Sequence, residues 1–296
     1  MKHTQISGIV AYPVTPFTED GAVDAPRLEQ LVDRLVAGGS HAIAPLGSTG
    51  ESAYLSDSEW DEVAEISVGA VAGRLPTIVG IADLTTAGAV RRARVAERLG
   101  ADAIMVLPLS YWKLSQKEII QHFSTIAANV SLPIMAYNNP ATAGIDMSPA
   151  LLVELTQTIE NVTMIKESSG DIARMQQIRH LTSGSVPFFN GSNPLALQAF
   201  AAGASGWCTA VACLIPTECL ALYDAMRQER LSDARTLFER MLPLLTFVLD
   251  HGGLPTTVKA GLANEGFPVG FPRLPLAPLA QSRAAELAEL VALAQK

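Results

Sequence analysis

The chain alternates short apolar segments with stretches of helical patterning, and this alternation most constrains how it can fold. Eight apolar segments have the composition of β-strands, and each is followed by a plausible helix. They begin near Ile6, His41, Pro76, Ala103, Pro133, Val162, Pro187 and Gly206. Intervals of about 19 to 36 residues suit strand–helix units joined by short loops. The pattern predicts an α/β protein with a parallel sheet.

A recurring junction favours a closed barrel over an open sheet. A helix end, a tight turn and a strand start follow one another at residues 39–43, 100–104 and 203–207. Eight strand–helix units within about 225 residues are typical of a (β/α)8 TIM barrel. No Gly-x-Gly-x-x-Gly motif follows the first strand, which argues against a dinucleotide-binding sheet.

The last part of the chain has helical patterning but too few strand signals for a second sheet. Helices are expected over 234–249 and 280–293, with a Gly- and Pro-rich connection over 251–278. We therefore expect residues 1–230 to form the barrel that carries the active site. Residues 231–296 are expected to form a C-terminal helical extension.

Helix starts are marked by capping residues. Ser56 and Ser115 are each followed three residues later by glutamate, which predicts capping boxes. Ser148 and Asn193 each precede a proline, which predicts a cap residue before a first-turn proline. An anion could then bind at the helix N-terminus that follows Asn193.

Charge and composition exclude several classes of partner. The net charge of −8 and the pI near 5.2 argue against nucleic acid or an anionic membrane, but not against an anionic substrate. No apolar stretch reaches the roughly 18 residues that a membrane span needs, and no secretory signal is visible. The three cysteines form no Cys-x-x-Cys pair, and the five histidines show no metal-ligand spacing. We expect a cytoplasmic protein without a metal site.

A lysine follows the sixth apolar segment directly. The segment runs from Val162 into Lys166, and a Ser-Ser-Gly turn comes next. In a TIM barrel the carboxyl ends of the strands form the active-site rim. Burial lowers the pKa of a lysine and favours a neutral amine that can attack a carbonyl. Glu167 should point to the opposite face of the strand. The alternative is a lysine that has left the strand and lies in water.

Three other strand ends carry candidate residues. After the second strand, the amides and hydroxyls of Gly47, Ser48 and Thr49 could hold a carboxylate or phosphate, although an ordinary loop is equally compatible. After the fifth strand, Tyr137 could place its phenol over the barrel mouth and transfer a proton, or it could simply pack at the rim. After the fourth strand, Tyr111 lies beside a tryptophan in a loop that could contact substrate or another subunit.

These motifs together resemble a known family. Residues 47–51 (Gly-Ser-Thr-Gly-Glu), Tyr137-Asn138-x-Pro140 and Ile165-Lys166-Glu167 occur in the order and spacing of the dihydrodipicolinate synthase / N-acetylneuraminate lyase family. Members are pyruvate-dependent class I lyases. The resemblance covers nearly the whole chain, and it implies a (β/α)8 barrel with C-terminal helices. It also implies a homotetramer built from two tight dimers.

The resemblance assigns a role to each candidate residue. It implies that Lys166 forms an imine with the keto carbon of a 2-oxo acid, without any cofactor. Ser48 and Thr49 would hold the carboxylate, and Tyr137 would move the proton. The remaining implied residues are Gly191 and Cys208, which line the pocket, and Tyr111, the candidate for a tyrosine contributed by the neighbouring subunit.

One departure from the family pattern concerns the substrate. The lysine-pathway synthase has an arginine two residues after the proline of the Tyr-Asn-x-Pro motif, whereas this chain has Thr142. We therefore expect a lyase, aldolase or dehydratase for a hydroxylated 2-oxo acid, with Asn139 and Thr142 facing the variable end. The alternatives are 4-hydroxy-tetrahydrodipicolinate synthase and a non-catalytic barrel that binds a 2-oxo acid.

Overall fold

Eight parallel strands form one sheet in the computed structural model, which describes residues 6–250 and 253–296. The strands are β1 (Gly8–Ala11), β2 (Ala42–Ile43), β3 (Ile78–Ile81), β4 (Ala103–Val106), β5 (Ile134–Asn138), β6 (Val162–Glu167), β7 (Phe188–Asn190) and β8 (Gly206–Thr209). Their order is β2-β1-β8-β7-β6-β5-β4-β3. Every predicted strand start lies within about two residues of the observed one, the usual uncertainty of element ends.

The two ends of this sheet meet, so the predicted TIM barrel is confirmed. Ile43 and Thr77 form a parallel bridge, and the Ile43 amide donates to the Pro76 carbonyl at 3.0 Å. β2 is the shortest strand of the barrel and contributes only two residues. Side chains are buried along nearly the whole of each strand, as expected for a parallel sheet covered by helices.

Helices surround the barrel and connect successive strands. They are α1 (Ala25–Ala37), α2 (Asp57–Val71), α3 (Thr86–Leu99), α4 (Gln116–Ala127), α5 (Pro140–Ala143), α6 (Pro149–Thr158), α7 (Ile172–Leu181), α8 (Ala196–Ala201) and α9 (Pro216–Arg227). In α1 the buried residues are Leu28, Leu31, Val32 and Leu35, one apolar face at helical spacing. None of the helices in the described ranges is long and apolar enough to cross a bilayer.

Three of the four predicted caps are confirmed. Ser56 and Ser115 form complete capping boxes with the glutamates three residues later, and Ser148 accepts from the Leu151 amide. The prediction for Asn193 is wrong. This residue begins a three-residue 3-10 turn, and its side-chain oxygen accepts from Trp207 Nε1 (3.2 Å) and Thr209 Oγ1 (2.8 Å) of β8. Its side chain is therefore committed to the barrel wall, and the expected anion-binding helix start is not formed there.

The C-terminal part contains α10 (Leu231–Asp250), α11 (Leu254–Asn264) and α12 (Gln281–Ala294). The first and last confirm the predicted helices, whereas α11 was missed inside the predicted connection, of which residues 251–252 lie outside the described ranges. α11 contains Thr256, Thr257, Val258 and Gly261, which are poor helix formers, so its local signal is weak. A Cβ at Gly261 would come within 2.7 Å of Leu214, so glycine permits close packing on the barrel.

His41 provides a pH-dependent contact between β1 and β2. Its Nδ1 accepts from the Ile9 amide at 3.1 Å, so this nitrogen is unprotonated. Burial lowers the pKa of His41 from its ordinary value of 6.5; Asp224 raises it and Arg227 lowers it further. Because the unfolded chain then takes up a proton before the folded one, stability is present above pH 6.5 and is lost as the pH falls below it.

We expect His41→Asn to reduce the loss of unfolding free energy between pH 7 and pH 5, because an amide oxygen can accept the same bond without titrating. Urea denaturation at pH 7, 6 and 5 measures the slope of the unfolding free energy against pH. His180→Asn, at an exposed histidine, is the matched control and should keep the wild-type slope. An unchanged slope for His41→Asn would contradict the assignment.

Candidate active site

Lys166 lies at the carboxyl end of β6, in a cavity of about 750 Å3 at the mouth of the barrel. Its side chain is almost completely buried, with 5% of the residue exposed. The Nζ atom lies 3.8 Å from the ring centroid of Tyr137 and 4.1 Å from that of Tyr12. The alternative of a solvated lysine beyond the strand end is therefore wrong.

Tyr137 faces this amine because of the strand register. In the β5–β6 ladder Tyr137 is paired with Lys166, so both side chains point into the barrel at the same height. The Tyr137 hydroxyl accepts a hydrogen bond from Asn139 Nδ2 at 2.8 Å. The ring thus faces the amine, and the phenolic oxygen has a defined donor at the cavity wall.

Glu167 points away from the amine, as predicted. It is fully buried, and its carboxylate accepts from Asn138 Nδ2 (3.1 and 3.3 Å) and from the Ser169 amide (2.6 Å). Arg174 Nε lies 3.4 Å from the same carboxylate. These contacts fasten the end of β6 to β5 from the outer face of the sheet.

The loop after β2 presents Ser48 and Thr49 to the cavity. Residues Ser48–Gly50 form a 3-10 turn, which the Thr15 hydroxyl supports by donating to the Gly50 carbonyl at 2.6 Å. Gly47 is buried behind the ring of Tyr12 and does not line the cavity wall. A Cβ at Gly47 would lie 2.7 Å from Tyr12 Cδ1, so glycine makes room for that ring.

A buried ion pair ties this loop to the C-terminal helices. Glu51 has a left-handed backbone (φ 57°), and its Oε1 lies 2.6 Å from Nζ of Lys259 in α11. Lys259 also donates to the Phe271 carbonyl, and the second Glu51 oxygen accepts from the Arg273 amide at 2.6 Å. Burial lowers the pKa of Lys259, while Glu51 raises it. The sequence motif contained Glu51, but its partner, some two hundred residues away, was not predicted.

Gly191 and Cys208 complete the wall beside the lysine. A Cβ at Gly191 would overlap the Ser168 hydroxyl and lie 2.7 Å from Lys166 Cε. Cys208 lies on β8 close to Tyr12, and burial raises the pKa of its thiol while Lys166 lowers it. The cysteine is therefore a small neutral wall group.

Asn139 and Thr142, which follow β5, line the cavity. The lining also includes the hydroxyl groups of Ser168, Ser169 and Ser192. Among the described residues that line the cavity, the only charged ones are Lys166 and Glu51, and Glu51 is paired with Lys259. Apart from Lys166, the described lining residues therefore include no cation.

Tyr111 lies outside this cavity. It is 88% exposed and packs edge-to-face on Trp112, which is 77% exposed. The structure therefore brings Tyr137 to Lys166 within one chain but leaves Tyr111 on the surface.

Comparison with known proteins decides the family. The chain matches the Dihydrodipicolinate synthetase family over residues 5–294. The chain belongs to this family. It is accordingly an enzyme of the class I, pyruvate-dependent lyase type, so the non-catalytic alternative is not supported.

Individual members of the dihydrodipicolinate synthetase family resemble the chain along its whole length. A candidate dihydrodipicolinate synthetase from Pseudomonas aeruginosa is 54% identical, with a TM-score of 0.96 over 98% of this chain and 100% of that one. The 4-hydroxy-tetrahydrodipicolinate synthase of Syntrophus aciditrophicus is 33% identical over 91% of each chain. YagE, a prophage family member from E. coli K12 solved in complex with pyruvate, is 27% identical, with a TM-score of 0.93 over 99% of each chain.

We expect Gly191→Ala to lower kcat/KM about a hundredfold, because the new methyl group must displace Ser168 or the lysine and small misplacements of this kind are costly. Gly69→Ala is the matched control. Gly69 lies in α2 with nothing near its Cβ position, so alanine there should retain activity and raise stability by about 0.5–1 kcal/mol. Wild-type kinetics for Gly191→Ala would contradict the close packing.

Proposed function

We propose that the Lys166 amine forms an imine with the keto carbon of pyruvate or of a 2-oxo acid that yields pyruvate. The observation that carries this proposal is the position of the amine, which is buried, open to the cavity and in contact with the ring of Tyr137. A buried lysine without a purpose is rare, because desolvating its ammonium is costly. The pyruvate complex of YagE supports the substrate class.

The imine supplies the chemistry. The amine lone pair attacks the carbonyl carbon, and the carbonyl oxygen leaves as water after taking one proton from the amine and one delivered by Tyr137. A protonated C=N bond remains. This cation accepts the electron pair of a neighbouring C–C or C3–H bond and becomes an enamine. Tyr137 carries the proton between the reacting atoms, with its hydroxyl oriented by Asn139.

The residues of the cavity wall support an orientation for the two ends of the substrate. Ser48 and Thr49 bind the carboxylate through the turn amides and hydroxyls, while Gly191 and Cys208 leave room beside the new bond. Asn139 and Thr142 face the rest of the substrate. Because that end is hydroxyl-rich and lacks a cation among the described lining residues, it suits a hydroxylated chain better than a second carboxylate.

The leading activity is therefore cleavage or dehydration of a hydroxylated 2-oxo acid. The second candidate is 4-hydroxy-tetrahydrodipicolinate synthase, which the names of relatives such as that of Syntrophus aciditrophicus favour. Condensation of pyruvate with aspartate semialdehyde tests the second candidate. Release of pyruvate from a panel of 2-oxo-3-deoxy sugar acids tests the first, and the larger kcat/KM decides between them.

We further propose a homotetramer of two tight dimers, located in the cytoplasm. The exposed Tyr111–Trp112 pair supports an interface, because large aromatic side chains at 88% and 77% exposure are candidates for contacts between subunits. The three cysteines are free and buried, which suits a reducing compartment. Residues 1–230 then form the catalytic barrel, and residues 231–296 form the extension that holds its rim.

Reduction with borohydride in the presence of pyruvate is expected to add one pyruvate-derived group to Lys166, because the imine is converted into a stable amine. Peptide mass spectrometry locates it. Lys166→Met should show no adduct and no turnover, with an unchanged unfolding transition. Lys113, which lies exposed in the loop after β4, serves as the internal control and should remain unmodified.

Tyr137→Phe is expected to lower kcat by about 10²–10⁴-fold, typical of a lost proton transfer, while the borohydride adduct still forms. Steady-state kinetics measure kcat, and borohydride reduction of the same preparation with pyruvate measures adduct formation. Asn139→Ala should lower kcat by a smaller factor, because the phenol remains and loses only its hydrogen-bond donor. Loss of the contact between Asn139 and the substrate should appear in KM. Near-normal turnover of Tyr137→Phe would remove the tyrosine from the proton path.

If Tyr111 completes the site of a neighbouring subunit, Tyr111→Phe should lower activity, and mixing should restore part of it. Random pairing of Lys166→Ala chains with Tyr111→Phe chains makes half of the dimers mixed. Each mixed dimer then holds one intact site, so about a quarter of wild-type activity returns. If Tyr111 acts within its own chain, no mixture recovers activity. Size-exclusion chromatography with light scattering checks the tetramer.

A further inference from the structure

A second tyrosine contacts the reactive amine. Lys166 Nζ lies 4.1 Å from the ring centroid of Tyr12 and 3.8 Å from that of Tyr137. Tyr12 directly follows β1, and Tyr137 lies in β5. In the closed order of eight strands, β1 and β5 are four positions apart in either direction. The two rings therefore approach the amine from opposite sides of the barrel.

Among the described residues, no carboxylate or hydrogen-bond acceptor competes for a charge on this nitrogen. Within residues 6–250 and 253–296, no carboxylate lies within 4.0 Å of Lys166 Nζ and no side-chain or backbone acceptor hydrogen-bonds to it. Glu167 faces the outside of the sheet, and Glu51 is paired with Lys259. A positive charge at Lys166 Nζ thus meets the faces of two aromatic rings, which attract cations electrostatically.

The hydroxyl of Tyr12 is occupied elsewhere. It donates to Met105 Sδ at 3.0 Å, which is a weak acceptor, and it lies close to Cys208. Burial raises the pKa of Tyr12 well above its ordinary value, so its phenol stays protonated. Tyr137 differs, because its hydroxyl lies at the cavity wall and accepts from Asn139. The ring of Tyr12, rather than its proton, is what reaches the amine.

The position of this ring is set by its surroundings. Tyr12 is 3% exposed. Because Gly47 has no side chain, the ring of Tyr12 can pack directly against its backbone. Met105 on β4 accepts a hydrogen bond from its hydroxyl, and Cys208 on β8 lies beside it. Since the ring is held from three strands or loops, it can support the lysine without rearranging when the substrate arrives.

We propose that Tyr12 is a positioning residue that forms a two-ring clamp with Tyr137 around Lys166 Nζ and stabilises the positive charge of the imine. The inference rests on the proposed Schiff-base function. When the Nζ lone pair forms the bond to the keto carbon and water leaves with the carbonyl oxygen, the nitrogen keeps one proton and becomes cationic. The clamp favours that cation through both ring faces, without a carboxylate that would bind it as an ion pair.

The test compares imine formation in Tyr12→Phe and Tyr12→Leu. The readout is the pyruvate concentration that gives half-maximal mass adduct on Lys166 after a brief borohydride pulse. Tyr12→Leu keeps an apolar side chain but loses the ring, so this concentration should rise about three- to thirtyfold, the range for a cation–π contact. Tyr12→Phe keeps the ring, so its half-saturating pyruvate concentration should lie much closer to that of the wild type. Tyr223→Leu, at a buried tyrosine in α9 away from the cavity, controls for general loss of an aromatic side chain.

A second series keeps the proposal testable if Tyr12→Leu does not fold. Phenylalanine with one, two or three ring fluorines is incorporated at position 12, which changes ring electron density with little change in volume. The half-saturating pyruvate concentration should rise stepwise with fluorination. Equal concentrations across the fluorinated series, or a Tyr12→Phe defect as large as that of Tyr12→Leu, would overturn the clamp.

The outcomes separate this inference from the proposed function. If wild-type protein gives no adduct on Lys166 at saturating pyruvate, the Schiff-base function itself fails. If wild-type protein is trapped and the Tyr12 variants are trapped at the same pyruvate concentration, the function stands and the clamp is refuted.

Discussion

The site depends on the register between β5 and β6. Pairing of Tyr137 with Lys166 places a phenol and an amine at the same height inside a closed barrel, and the outward-facing Glu167 fastens that register from behind. A shift of one residue would turn both side chains to the other face of the sheet, because side chains alternate along a strand. The position of both reactive side chains therefore depends on the backbone hydrogen bonds between β5 and β6.

The C-terminal helices act on the same site from the rim. The Glu51–Lys259 pair joins the turn that carries Ser48 and Thr49 to α11. A buried pair of this kind adds little net stability, but removing one partner costs about 3–5 kcal/mol because the other charge stays buried. Glu51 is also the left-handed residue at which the 3-10 turn of Ser48–Gly50 ends. The extension thereby contributes to the shape of the cavity.

Prediction from sequence succeeded where the signal was local. Strand starts, the capping boxes at Ser56 and Ser115, and the burial of Lys166 all depend on short patterns, and the structure confirms them. It failed where distant contacts override local preference. Asn193 forms bonds to β8 instead of capping a helix, and α11 exists because it packs on the barrel despite weak helix formers.

The sequence by itself determined the barrel, the family and the strand ends from which reactive groups project, because periodicity and motif spacing are properties of neighbouring residues. Tertiary structure alone decided which groups meet. It brought Tyr12 to Lys166 from across the barrel and paired Glu51 with Lys259. It left Tyr111 on the surface. The reason is physical: such contacts follow from barrel closure and strand stagger, which join residues far apart in the chain and leave no trace in the local pattern.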